Sequence, residues 1–468
     1  MLTDSAVSGS GTVFSSAAEE MTPRETGASS PDGRAPSSSL GEPTVRTEAA
    51  AGRDGEIAGL RRLPITLTTP HSPDETDYDS FQSGRDIQGI DWDSTPYTRD
   101  EYRAHRLSTY QNYCNLPEKV AAAAARLKDE CLATRRGARL YSFTWRRRVA
   151  NPTIVHFQLR NLVWASAEDG VYYAGEHGIR HYSAETGEDS VVLDLSGRLL
   201  SCQVPRVGRV QISSMCVQGR MLAAGGFGGE LVVRHLDRPG LLFSDRVSRS
   251  DNAITNALEM REKASGAMSV VASNNDTSVR VLDVETGKID HRISFPWAVN
   301  YAAVHPLNPS LLCVVGDHPV GLLVDLASGG RTVSELHGHI DYSFAASWHP
   351  GGHLLATGNQ DGTARAWDLR YLGTSAACMR GQLGAIRSVR FSPCGSFLAA
   401  SEPADFVHIW DLASGLQHEQ EIDVFGEVAG MSFSGGGEGL YVGLSDAVFG
   451  GMLHFQRQRD PRGVDNFL

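Results

Sequence analysis

The sequence predicts an all-β fold: a seven-bladed β-propeller behind a helical N-terminal extension and a disordered N-terminal tail. Three observations predict it. Two stretches, HGHIDYSFAASWHPGGHLLATGNQDGTARAWDLR and GAIRSVRFSPCGSFLAASEPADFVHIWDL, align without a gap at a spacing of 43 residues, Pro350 with Pro393 and Trp367-Asp368 with Trp410-Asp411. Each copy alternates short apolar runs with Gly, Pro and Asp turn signals, the pattern of about four short strands. The blade-closing position recurs at Ser183, Asp237, Asp283, Asp325, Asp368, Asp411 and His454, with successive gaps of 54, 46, 42, 43, 43 and 43 residues, so seven units can be counted.

Taken in order, residues 1–80 are rich in Ser, Gly, Pro and Ala and carry 6 Arg against 13 acidic residues. Such a segment buries too little apolar surface to offset its ordering entropy, so it reads as a disordered tail. Within it Ser72-Pro73 reads as a linker dipeptide or a phosphorylation site. Residues 81–150 form the helical extension. Thr98-Arg99-Asp100-Glu101 is a capping-box pattern, and Leu107, Tyr110 and Cys114 follow at helical spacing. Pro117 suits the first turn of a second helix that holds five consecutive alanines. Residues 117–150 carry 9 basic against 3 acidic residues. Arg135-Arg136 and Arg146-Arg147-Arg148 have the composition of a nuclear import signal; the competing reading is a solvated basic face.

Residues 151–468 are read as the propeller. The long gaps imply loop insertions at 195–209 and 260–266. The seventh blade offers only three strand patterns, VAGMSF, LYVGL and GMLHFQ. The alternation Thr153-Ile154-Val155-His156-Phe157 is expected to supply its missing outer strand and so remove an open sheet edge.

A repeat of this period closed by Trp-Asp resembles the WD40 blade. The resemblance implies a buried hydrogen-bonded set in the fifth blade: His339, Thr357, Asp361 and Trp367. In the sixth blade Ser401, Asp405 and Trp410 are assigned to the same set, with Gln382 in place of the histidine. The segments GRDIQGIDWDSTPYTRDEYRAHRLSTYQNYCNLP, TIVHFQLRNLVWAS, AAGGFGGELVVRHLDRPG and TGNQDGTARAWDLR, with others across residues 80–468, resemble a family of uncharacterised WD-repeat proteins of plants and fungi, of the transducin/WD40 repeat-like superfamily. That family brings no established biochemical activity. Trp367-Asp368-Leu369-Arg370 is similar to the WDxR box of substrate receptors of cullin-4 RING ubiquitin ligases; the resemblance implies that Asp368 and Arg370 contact a DDB-type adaptor.

Composition narrows the function classes. A net charge of −12 argues against a general nucleic-acid binder. The seven cysteines are scattered and never in CxxC spacing, so neither a disulfide framework nor a zinc site is expected, and a reducing compartment is. No apolar run reaches membrane-spanning length. Gly225–Gly229 reads as a β-turn, not a phosphate loop, and Asp91 and Asp93 lack the turn glycine of a calcium loop. We therefore expect a non-enzymatic scaffold for protein partners, in the cytoplasm and/or nucleus, without cofactor, metal, nucleic acid or membrane. The expected partner face is the channel mouth, where stepping back six residues from each blade proline gives Asn300, Phe344 and Arg387, with Trp297 and Tyr342 beside them. The alternatives are the ligase receptor and an enzyme using the central channel.

Overall fold

The computed structural model describes residues 74–166, 170–197, 207–263 and 265–459. Five blades are separate antiparallel sheets of four strands, taken in chain order at 163–194, 212–246, 255–294, 299–336 and 343–380. Their innermost strands are mostly buried, as in Val299–Val304 where all but Val304 are, because neighbouring blades cover both faces. Their outermost strands alternate toward solvent, as in Ile289–Ser294. The core lies between blades: one cluster joins Leu355 and Trp367 of the fifth blade to Tyr301 and Cys313 of the fourth.

The sixth and seventh blades share the strand His418–Phe433. Its first half pairs with Ala404–Asp411 as the outer strand of blade six. Its second half pairs with Gly439–Ser445 as the inner strand of blade seven. Between them Gly426 takes φ +133, a conformation that suits glycine. That inner half packs against Val163–Ala165 of the first blade, so the ring closes.

The strand that completes blade seven is not Thr153–Phe157. Residues 151–157 form no strand. The partner of Gly451–Arg457 is a strand from inside the expected helical extension, Tyr141–Arg147. Tyr141 and Phe143 explain the choice, because both are buried against Phe455 and Phe433 in the seventh-blade core. Arg146 on this strand is fully buried, with its Nη2 donating to the Gly450 carbonyl at 2.7 Å. It therefore belongs neither to a solvated basic face nor to an exposed import signal.

The extension binds the ring along its whole length. Strand β1 (Glu75–Asp77) and helix α1 (Tyr78–Gln82) open it, so residues 74–80 are ordered structure and the expected tail ends earlier. Strand β1 adds to the edge made by Tyr141–Arg147. Helix α2 (Arg99–Thr109) starts at the predicted capping box, with Thr98 accepting from the Glu101 amide. It stops before Tyr110 and Cys114, which the helical spacing had included. Helix α3 (Pro117–Glu130) carries its proline in the first turn. Strand β2 (Arg135–Arg136) then pairs in parallel with the outer strand of blade six. Ser72-Pro73 and most of the expected 195–209 insertion lie outside the described residues.

Candidate docking face

Blade five holds its polar set as the resemblance implied. The Asp-Gly turn needs Gly362 at φ +79 and brings the Asp361 carboxylate under the loop that carries His339. His339 Nδ1 lies 3.1 Å from Asp361 Oδ2, and its Nε2 lies 2.8 Å from Thr357 Oγ1. Trp367 Nε1 donates to Thr357 Oγ1 at 2.9 Å. Burial pushes the Asp361 carboxyl up, but His339, the Thr363 hydroxyl and the Ile340 amide outweigh it and hold it below the usual range. A chain this satisfied is a brace between strands.

Blade six is built differently. Trp410 keeps its place, yet its indole N–H makes no hydrogen bond, and neither does the Ser401 hydroxyl. Asp405 is turned out of the blade at φ 73. It receives two arginines of helix α2 instead: Arg103 Nη1 at 2.7 Å, and Arg106 through Nε at 2.5 Å and Nη2 at 2.8 Å. The assignment of Ser401 and Asp405 to the internal set is therefore corrected. At the positions of Thr357 and Asp361, 43 residues on, stand Ala400 and Ala404, which cannot hydrogen-bond through a side chain.

Three further groups take over inside blade six. His408 lies between two carboxylates, 2.8 Å from Glu419 Oε1 and 2.9 Å from Glu402 Oε1. Glu402 also accepts the amides of Gln382, Leu383 and Gly384 at 2.5–2.6 Å. Burial lowers the His408 pKa, but the hydrogen bonds and charges of Glu402 and Glu419 raise it further, to about 9. His408, Glu419 and Glu421 stand close enough to hold a cation. Gln382 Nε2 already occupies Glu421 at 2.8 Å, and the Arg136 guanidinium lies 3.8 Å from Glu419, so the group is satisfied within the protein.

Helix α2 clasps the rim of blades six and seven. Arg99 Nη2 and Arg103 Nη2 reach Asp423 Oδ1 at 2.9 and 2.5 Å. The Arg103 guanidinium stacks 4.1 Å from the Phe425 ring centre, and Trp92 and Tyr102 complete that cluster. Beyond the helix, Asn112 and Asn115 lie over blade five, bonded to the Gln360 carbonyl at 2.8 Å and to Asp341 at 3.0 Å. Tyr110 stands above Gly384, and burial pushes its hydroxyl up to about 12.

The channel below is narrow and cationic. Its neck is lined by Arg160, Asn161, Tyr301, Phe344, Arg387 and Arg390 among others, with about 10 Å³ free, room for one water-sized body. Arg387 stacks 3.9 Å from Phe344 and donates to Gln360 Oε1 at 2.7 Å. Burial and the nearby Arg160 pull its pKa down to about 9. Asn300, Phe344 and Arg387 are buried and not displayed on the rim, Phe344 and Arg387 lining the neck. Trp297 and Tyr342 remain half-exposed. Trp297 stacks between Phe295 and His318 at centroid distances of 5.2 and 6.0 Å. The extension adds Tyr113, a residue 60% exposed. Tyr113 and the rest of the clasp could not be placed from sequence, because the residues they meet lie hundreds of positions away.

The family model described as WD domain, G-beta repeat matches residues 330–368 and 373–411. The chain carries WD40 repeats. Each matched repeat begins on the outer strand of one blade and ends on the third strand of the next, which is how the WD40 chain laces its ring. An uncharacterized protein of Schizosaccharomyces pombe is 27% identical over 42% of this chain and 61% of its own length. Pre-mRNA-processing factor 19 homolog 2 of Arabidopsis thaliana is 33% identical over 24% of this chain and 21% of its own length. THO complex subunit 3 of the same plant is 29% identical over 24% of this chain and 36% of its own. The chain therefore spans less than two thirds of each of these relatives. A chain in a crystal structure of the mitotic checkpoint complex superposes with a TM-score of 0.54 at 18% identity, over 70% of this chain and 96% of that one, a likeness of fold.

Within the WD40 ring, Arg370 sits just past the third strand of blade five, exposed at the outer edge. Its guanidinium folds back on Asp368, with Nη2 at 2.6 Å from Oδ2 and Nε at 2.9 Å from Oδ1. This pairing holds the Asp368 carboxyl near 2. No helix among the described residues is long and apolar enough to cross a membrane.

Proposed function

We propose that this WD40 chain is a non-enzymatic docking platform for protein partners within a larger intracellular assembly, in the cytoplasm and/or nucleus. The observation that carries this reading is the occupied rim. The extension already lies across blades five to seven as a bound polypeptide, through arginine–carboxylate pairs, tilted and edge-on ring contacts and side-chain amide bonds to backbone. Tyr113 of the extension is exposed and Tyr342 and Trp297 of the ring are partly accessible, residue types enriched at binding hot spots. Names among the relatives, a pre-mRNA-processing factor and a THO complex subunit, support membership of an assembly. An enzyme would need convergent carboxylates or histidines at the channel, whereas the neck presents guanidinium groups.

The ligase-receptor reading rests on the WDxR box. Its arginine fork is held by its own Asp368, so adaptor binding would have to break that pair. Affinity capture with mass spectrometry separates the readings. The platform reading expects Trp297→Ala/Tyr342→Ala to lose partners that the wild type and Arg370→Ala both retain. Retention of every partner by the rim variant would sink it; recovery of a DDB-type adaptor that Arg370→Ala abolishes would establish the receptor instead.

A further inference from the structure

Two cysteines far apart in sequence meet where the extension joins blade five. Cys131 ends helix α3 and is half-buried; Cys378 is buried on the outer strand Ala377–Arg380. They are 247 positions apart, and their sulfurs lie 3.3 Å from each other. The Leu132 amide donates to the Cys378 carbonyl at 2.8 Å, which fixes the two backbones beside each other. Leu127, Val120 and Ala123 pack with Ile340 around the pair. A disulfide needs sulfurs brought to about 2 Å, a short closure from their present separation.

We propose that Cys131 and Cys378 are a redox modification site: a thiol pair that a peroxide converts to a disulfide, locking helix α3 to blade five. The chemistry balances with one hydrogen peroxide. The Cys131 thiolate attacks a peroxide oxygen, the O–O bond breaks, and water leaves after proton uptake, giving the sulfenic acid. The Cys378 sulfur then attacks the Cys131 sulfur, the S–OH bond breaks, and the hydroxide takes the Cys378 proton to leave as a second water. Two thiols lose two electrons and the peroxide gains them.

The environments divide the roles. The hydrogen bond from Cys378 holds the Cys131 thiol below the ordinary cysteine range, and Arg380 and Arg365 act in the same direction. The same bond and burial push Cys378 up. Cys131 is thus the accessible attacking sulfur and Cys378 the sheltered resolving one. A disulfide in a reducing compartment would be transient, which suits a switch and not a permanent staple.

The test uses the full chain treated with stoichiometric hydrogen peroxide, then alkylated and digested without reductant. The expected product is a cross-linked peptide pair joining Cys131 to Cys378, reversed by dithiothreitol and absent from Cys131→Ser. Amide exchange over residues 117–130 should slow at least tenfold on oxidation, and the melting temperature should rise by roughly 5 °C, as expected for closing so long a loop. Sulfinic acid on Cys131 with Cys378 still alkylatable would overturn the proposal, as would a cross-link to any other cysteine. Cys131→Ser touches only the half-buried partner, so its fold can be checked independently by its reduced-state melting curve.

Discussion

Blades five and six have the same length and the same closing Trp-Asp, yet they are held in different ways. Blade five is braced from within: Asp361, His339, Thr357 and Trp367 satisfy one another inside one sheet. Blade six has alanine at the two key positions, an idle indole N–H, and an aspartate turned outward to two arginines of another segment. The difference teaches that a WD40 blade can do without the His/Thr/Asp/Trp set when another buried group, His408 between Glu402 and Glu419, and a strap outside the ring take its place. The strap has a second consequence. It is the reason part of the rim is already covered, and it sets which arc stays open to partners.

Substitutions sharpen the contrast. Asp405→Ala removes the buried carboxylate that Arg103 and Arg106 share, leaving Arg103 with the Asp423 carboxylate alone, and should destabilise the chain by about 3–5 kcal/mol in urea unfolding. Raising the pH acts on the same blade. The folded pKa of His408 lies above its ordinary value, so its stabilisation is fully present below about pH 6.5 and is lost as pH rises through about 9. The loss should be of order 3 kcal/mol between pH 6.5 and 10, and His408→Gln should remove this dependence. Asp361→Ala, in blade five, strips acceptors from His339, Ile340 and Thr363, an expected loss of about 2–3 kcal/mol. The smallest effect divides the blades most cleanly: Trp367→Phe should destabilise by ~1 kcal/mol through its lost hydrogen bond. Trp410→Phe should stay within ~0.5 kcal/mol, because its N–H has no bond to lose.

The sequence carried the ring through its 43-residue spacing, because each blade repeats one packing problem and solves it with similar residues. It carried the helix starts, since Thr98 with Glu101, and Pro117, act on local backbone. It did not reveal the last strand. Tyr141–Arg147 ends in a run of arginines that reads as solvated, and its pairing with Gly451–Arg457, with Tyr141 and Phe143 buried in the seventh-blade core, makes it a strand of the ring. The Asp405 assignment could have been checked by counting. Asp361 stands six residues before Trp367, but Asp405 stands five before Trp410. One residue of slip moves a side chain to the other face of its strand. The rim was misjudged for a related reason. Asn300, Phe344 and Arg387 are buried, and the closeness of the inner strands that buries them is not visible in the sequence.

The account turns on the strap bracing blade six from outside, beside its buried His408 group. Amide hydrogen exchange on Arg103→Met/Arg106→Met tests it directly. Protection should fall across Phe397–Ser401 and Ala404–Asp411 while Leu354–Asn359 and Thr363–Asp368 of blade five keep theirs. Equal protection in both blades, or an equal loss in both, would contradict it.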